Sequence, residues 1–212
     1  MEKDKFREKE SFSFEDLKAL VSFLRSPEGC PWDREQSHKS IRNHFVEEAY
    51  EVCEGIDKED NALLQEELGD MLFQVLFHIN LAEEKGAFTL EDVLNGICRK
   101  MIFRHPFLFE PGSEKPKDQI AQWEEMKKKE KGEESAYDTL SRISTALPSL
   151  KRAEKFIKKG ASNKGIDPGE DPMLLSGETL YKIAEKCQKE NIDPEQALNE
   201  YLSKILDKVY KL

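Results

Sequence analysis

The sequence predicts an all-α protein. Apolar residues recur at helical spacing rather than in strand-like alternation, and Gly and Pro punctuation is sparse before residue 160. The polar stretches between the apolar ones are rich in Lys and Glu, which are good helix formers. Helices are expected over 14–25, 36–56, 60–85, 90–104, 117–131, 146–159, 176–190 and 194–210.

The first has a visible start, because Ser13 followed by Asp16 has the spacing of a capping box. Before the second runs Gly29-Cys30-Pro31-Trp32-Asp33, then Gln36 and His38, a turn that feeds into an acidic helix. Trp32 has two readings, an exposed ring that stacks on a base or a plug packed against the bundle. In the second helix His44, Glu47, Glu48, Glu51 and Glu54 share one arc, with Phe45, Val46, Ala49, Tyr50, Val52, Cys53 and Ile56 opposite.

The third helix is apolar on nearly every side between Leu68 and Ala82, and its polar exceptions form a line. Glu67, Asp70, Gln74 and His78 fall at i, i+3, i+7 and i+11. An ionised carboxylate withdrawn from water without a partner is costly enough that it takes up a proton instead. A divalent cation removes that penalty, so Glu48, Glu51, Glu67 and Asp70, two from each of two facing helices, are the expected metal ligands. Their hard oxygen donors suit Mg²⁺, or Mn²⁺. His78 is left out of that set, since a single His on a core helix is more often structural.

The fourth helix closes with Lys100-Met101-Ile102-Phe103-Arg104-His105-Pro106, placing Lys100 and Arg104 one turn apart on one face. They suit a polyphosphate grip, and they equally suit cations at a helix C-terminus. The Lys/Glu-rich stretch 124–134 reads as a solvated helix or linker, and Asp193-Pro194 with Gln196 as a capped start to the last helix. The expected organisation is a charged tail 1–12, a helical module 13–112, a helical linker 113–136 and a smaller helical module 137–212.

Across 212 residues the net charge is −10, which disfavours nucleic-acid polymers and anionic membranes as partners. Cys30, Cys53, Cys98 and Cys187 lack metal or redox spacing and read as reduced thiols, and no apolar run has membrane-spanning length; the expected location is cytoplasmic. One acidic helix pair is too small to enclose a ligand and its own apolar back face, so a homodimer is expected.

Taken in order, Gly29-Cys30-Pro31-Trp32-Asp33, the E-E-x-x-E cluster Glu47, Glu48 and Glu51, the E-x-x-D pair Glu67 and Asp70, and Arg104-His105-Pro106 resemble the MazG family of nucleoside triphosphate pyrophosphohydrolases over residues 12–110. The resemblance implies Mg²⁺-dependent hydrolysis of a nucleoside triphosphate to monophosphate and pyrophosphate. It implies that Glu48, Glu51, Glu67 and Asp70 hold the metal, that Glu47 is a further acid or a water-orienting base, that Lys100 and Arg104 contact the triphosphate, and that Trp32 lies near the nucleoside. Family members often carry two modules in tandem. Here Lys164 to Pro168 resembles the opening loop of a second, with Pro168 in place of an aromatic, and Ser176-Gly177-Glu178 onward echoes Leu68-Gly69-Asp70. No second E-E-x-x-E appears and Leu174 stands where the first acid of the E-x-x-D pair belongs, so the second metal site is expected to be lost.

Three rival readings share some of these residues. A ferritin-like di-metal oxidase needs Glu-x-x-His pairs, which neither His44 nor His78 supplies. A non-catalytic nucleotide sensor would bind without turnover. A narrower dUTP- or dCTP-directed pyrophosphatase would share the carboxylates but not the Trp-bearing loop.

Overall fold

The computed structural model describes residues 6–132, 135–161, 167 and 169–210. Residues 1–5 of the charged tail, and the 164–168 loop apart from Asp167, lie outside the described residues. Among those described the regular structure is helical throughout, with no strand, as the periodicity predicts.

Between Phe14 and Tyr210 the described helices run in order: α1 Phe14–Leu24, α2 Pro31–Glu35, α3 Arg42–Asp57, α4 Asn61–Glu84, α5 Leu90–Arg104, α6 Pro106–Phe109, α7 Gln119–Lys131, α8 Ala136–Ser141, α9 Ser149–Lys158, α10 Pro172–Lys189 and α11 Pro194–Tyr210. They divide into two compact units, Met1–Phe103 and Arg104–Leu212. That division falls before the boundary expected at residue 112, where the helix ends at His105-Pro106. Proline lacks the N–H that would continue the ladder, and the residue before it is biased away from helical backbone.

In the first unit α3 and α4 form an antiparallel hairpin, and α1 packs against α4. The hairpin turn is tight. Glu59 takes a left-handed φ of 53°, and Asp60 caps α4 by accepting from the N–H groups of Ala62 and Leu63 at 3.0 and 3.2 Å. A cap of this type contributes about 1 kcal/mol. At the end of α3 the two helices touch through Gly55, where an added Cβ would meet the Leu64 backbone N at 2.9 Å. The capping box expected at Ser13 and Asp16 is present, with Ser13 N–H donating to Asp16 at 2.7 Å.

The core occupies the C-terminal half of α4. Leu76, Phe77, Ile79 and Leu81 are buried with Val21 of α1, Ile41 and Leu90, and Leu17, Phe73 and Val75 pack against them. The N-terminal half of α4, which carries Glu67 and Asp70, lies outside this cluster and is free to be chemical rather than structural.

One expected helix is broken. The segment predicted over 36–56 begins only at Arg42, because Ser37 and Ser40 satisfy each other instead of a helical ladder. Ser37 N–H donates to Ser40 Oγ at 2.8 Å and Ser40 N–H to Ser37 Oγ at 3.2 Å, the local competition that makes serine a poor helix-interior residue. The preceding Pro31–Glu35 turn forms its own short helix with Pro at its first position.

In the second unit α9, α10 and α11 pack on one another, with Ala184 fully buried. α11 starts as predicted, Asp193 accepting from the Glu195 N–H at 2.9 Å.

Candidate metal and nucleotide site

Glu48 leaves α3 toward α4, where Glu67 and Asp70 sit one turn apart. Ligand oxygens of these three lie within 4.8 Å of one another, a spacing that a single cation bridges. Glu51, one turn on from Glu48, shares a hydrogen bond with it, and its charge also acts on Glu67. Three of the four residues expected as ligands thus come together by oxygen geometry, and Glu51 neighbours them through its hydrogen bond to Glu48.

The electrostatics of the trio are those of a site short of positive charge. Desolvation raises the Glu48 carboxyl above its ordinary value, Asp70 and Glu51 add to the rise, and a hydrogen bond from Gln74 opposes it. Glu67 is raised too, first by desolvation and then by Glu51, Glu66, Asp70 and Glu48. A divalent cation reverses both effects, so the donor set fits a hard metal ion of the Mg²⁺ or Mn²⁺ class.

Glu47 stands outside the trio, with Oε2 3.2 Å from His44 Nδ1. His44 in turn meets the edge of Trp32, ring centroids 6.4 Å apart. Of the two readings of Trp32 the structure bears out exposure, since the side chain is 57% accessible. Trp32 and His44 line a cavity of about 150 Å³ with Asp33, Ile41, Phe73, Gln74 and Phe77. Gln74 thus belongs to both features: it walls the aromatic cavity and donates to Glu48.

The Trp32 loop is held from below by Arg25. Its guanidinium lies 5.1 Å from the Phe77 ring, donates to the Asp33 carbonyl, and grips Glu84 through two hydrogen bonds of 2.7 Å. Gln36 closes the loop by donating to the Trp32 carbonyl at 2.8 Å. Gly29 is required there, since an added Cβ would sit 2.1 Å from the Phe23 carbonyl oxygen.

His78 completes the polar stripe without joining the carboxylates. Its Nδ1 lies 2.8 Å from His38 Nδ1, and Phe45 packs edge-on against its ring at 5.5 Å. Lys100 is half-buried on α5. Arg104 is committed elsewhere: it is 9% exposed, donates from Nε and Nη2 to Glu130 Oε2 at 2.7 Å, and stacks 5.0 Å over Trp123.

Sequence reasoning did not assign roles to Gln74, His38, Arg25, Glu130 or Trp123. Gln74 was findable, since it lies on the line through Glu67 and Asp70. The others are partners across long sequence separations, for which one sequence carries no signal.

Residues 36–109 match the MazG nucleotide pyrophosphohydrolase domain. A protein of Thermotoga maritima named nucleoside triphosphate pyrophosphohydrolase/pyrophosphatase MazG is 36% identical over 221 residues, covering 94% of this chain and 85% of that one. This chain belongs to the MazG family. The Escherichia coli nucleoside triphosphate pyrophosphohydrolase is 40% identical over 184 residues, covering 86% of this chain and 68% of that one. A crystal structure of a MazG-related protein from Thermotoga maritima aligns with 31% identity and a TM-score of 0.46, covering 54% of this chain and 98% of that one. The matched MazG domain contains Glu47, Glu48, Glu51, Glu67, Asp70, Lys100 and Arg104, whereas Trp32 precedes it.

Proposed function

We propose that this chain hydrolyses nucleoside triphosphates to nucleoside monophosphate and pyrophosphate at the Glu48, Glu67 and Asp70 site. The observation that carries this is the convergence of three carboxylates within 4.8 Å, next to an aromatic cavity that shares Gln74 with them. Glu48, Glu51, Glu67 and Asp70 hold a divalent cation, Mg²⁺ or Mn²⁺. When bound, such an ion supplies charge neutralisation for phosphoanhydride cleavage.

The chain's own residues supply binding and orientation. Trp32 offers its exposed ring to the base, with His44 fixing the ring's edge. Glu47, the acid outside the trio, orients the attacking water and receives its proton as the new P–O bond forms and the phosphoanhydride P–O bond breaks. Lys100 and Arg104 contact the triphosphate, Arg104 by exchanging Glu130 for a phosphate oxygen.

Modules 13–112 and 137–212 are a working copy and a degenerate copy. We further propose a homodimer, because α3 and α4 leave Tyr50 57%, Leu68 51% and Leu72 38% exposed beside the carboxylates. No helix among the described residues is long and apolar enough to cross a membrane; with the unpaired thiols and acidic charge this supports a cytoplasmic enzyme that binds small nucleotides rather than nucleic-acid polymers.

The test is product identity. Each common NTP and dNTP is incubated with the protein in Mg²⁺, Mn²⁺ or EDTA, and phosphorus products are resolved. Monophosphate and pyrophosphate with metal alone are expected. Diphosphate and orthophosphate, or turnover in EDTA, would remove the reading.

A further inference from the structure

The second unit contains a strongly basic concavity on this acidic chain. Helices α7, α8 and α9 enclose a cleft of about 540 Å³, within the range of small-ligand pockets. Among the described residues its lining carries Lys127, Lys131, Arg142, Lys155, Lys158 and Lys159 against one carboxylate, that of Glu124. The chain as a whole has net charge −10, so this concentration runs against the average.

Ion pairs account for only part of it. Glu124 accepts from Lys159 and lies 3.8 Å from Lys127, and Lys158 pairs with Glu154. Lys131, Arg142 and Lys155 have no acidic partner among the described residues. Solvated lysines on a lone helix would spread apart under mutual repulsion. Here three helices aim them into one cleft, and the Glu124–Lys159 pair ties α7 to the end of α9. The lining also holds apolar Ile143 and Leu147, and Thr139 and Ser144 add hydroxyls. Several cations beside apolar side chains match a small molecule with several phosphate charges and room for a flat apolar body.

We propose that this cleft binds a multiply charged small-molecule phosphate, a nucleoside polyphosphate or a condensed inorganic phosphate, as a site separate from the carboxylate trio. Arg142 supplies the planar fork suited to phosphate oxygens, and Lys131 and Lys155 supply mobile charges from facing helices. The carboxylate trio of Glu48, Glu67 and Asp70 belongs to the first unit, and the role proposed for this cleft is binding. The site does not depend on the hydrolytic reading, because its ligand requires no metal.

The test uses the full chain in EDTA, where the uncompensated carboxylates of the first unit repel phosphates. ATP, AMP and inorganic tripolyphosphate are titrated calorimetrically into wild type, an Arg142→Ala/Lys155→Ala variant and a Lys182→Ala control outside the cleft, with helicity checked by circular dichroism. ATP or tripolyphosphate should bind once per chain, more weakly at high salt, with AMP weaker. The double variant should lose about tenfold or more in affinity, and the control none. Should the double variant lose helicity, Lys131→Gln reads the same loss from another helix. Equal affinities for ATP and tripolyphosphate assign the phosphate chain as the ligand, and a clear preference for ATP assigns a nucleotide lying on Ile143 and Leu147. Absence of binding to wild type, binding unchanged in the folded variants, or tighter binding of a single-stranded RNA that displaces ATP would overturn the proposal.

Discussion

At Glu48 opposing influences meet: burial, Asp70 and Glu51 push its carboxyl up, while Gln74 holds it down. Gln74 therefore opposes the rise at the carboxylate proposed to bind metal, and Gln74→Leu should weaken the apparent affinity for Mg²⁺ by about 10–100-fold, read as a Mg²⁺ titration of hydrolysis. His78 behaves differently. Burial first, and then His38, lower it below its ordinary value of 6.5, and two ring nitrogens 2.8 Å apart accommodate one proton between them, not two. Since the unfolded chain binds the extra proton more readily, this contribution to stability is present above pH 6.5 and lost as pH falls below it. The melting temperature of wild type should drop through that window, and the drop should be smaller in His78→Phe. Glu84 has the opposite origin: its hydrogen bonds to Arg25 hold it below 4.5, so its contribution is present above pH 4.5 and lost on further acidification. These residues show what one sequence reveals. The line Glu67, Asp70, Gln74, His78 was legible because helical spacing alone creates it, whereas the Arg25–Glu84 and His38–His78 pairs depend on which elements fold together.

At the scale of elements the deciding contact is between α3 and α4, which bring Glu48 against Glu67 and Asp70. Gly55 sets how close they come, with Leu64 at the clash limit for any Cβ. Gly55→Ala should cost about 1–3 kcal/mol by forcing the hairpin open, measured by urea denaturation, and should lower hydrolysis by spreading the carboxylates. The helix 60–85 was readable nearly to its ends because its apolar run is long and its Asp60 cap explicit. The 36–56 helix was not, because the Ser37 to Ser40 turn competes locally with helix, and periodicity is insensitive to such side-chain-to-backbone bonds.

For the whole molecule, the apolar circumference of α4 argued for complete burial, yet Leu68 and Leu72 stay exposed in the single chain. Burial in the second copy proposed above would reconcile the two. Sedimentation velocity should show a dimer for wild type and a monomer for Leu68→Glu/Leu72→Glu; a monomeric wild type would remove the dimer. The all-α class was legible from composition and period together. The division of the chain at Phe103 was not, since it follows from which helices pack on which.

The most direct test of the central claim compares wild type with Glu48→Gln/Glu51→Gln, each supplied with Mg²⁺ and the NTP or dNTP turned over best, with nucleotide and phosphate products resolved. Monophosphate and pyrophosphate from wild type, with loss of both in a variant that keeps its helicity, is the result expected if these carboxylates are the working centre. Undiminished turnover in the variant would place the chemistry elsewhere, and metal-dependent nucleotide binding without turnover in wild type would make the protein a sensor rather than a hydrolase.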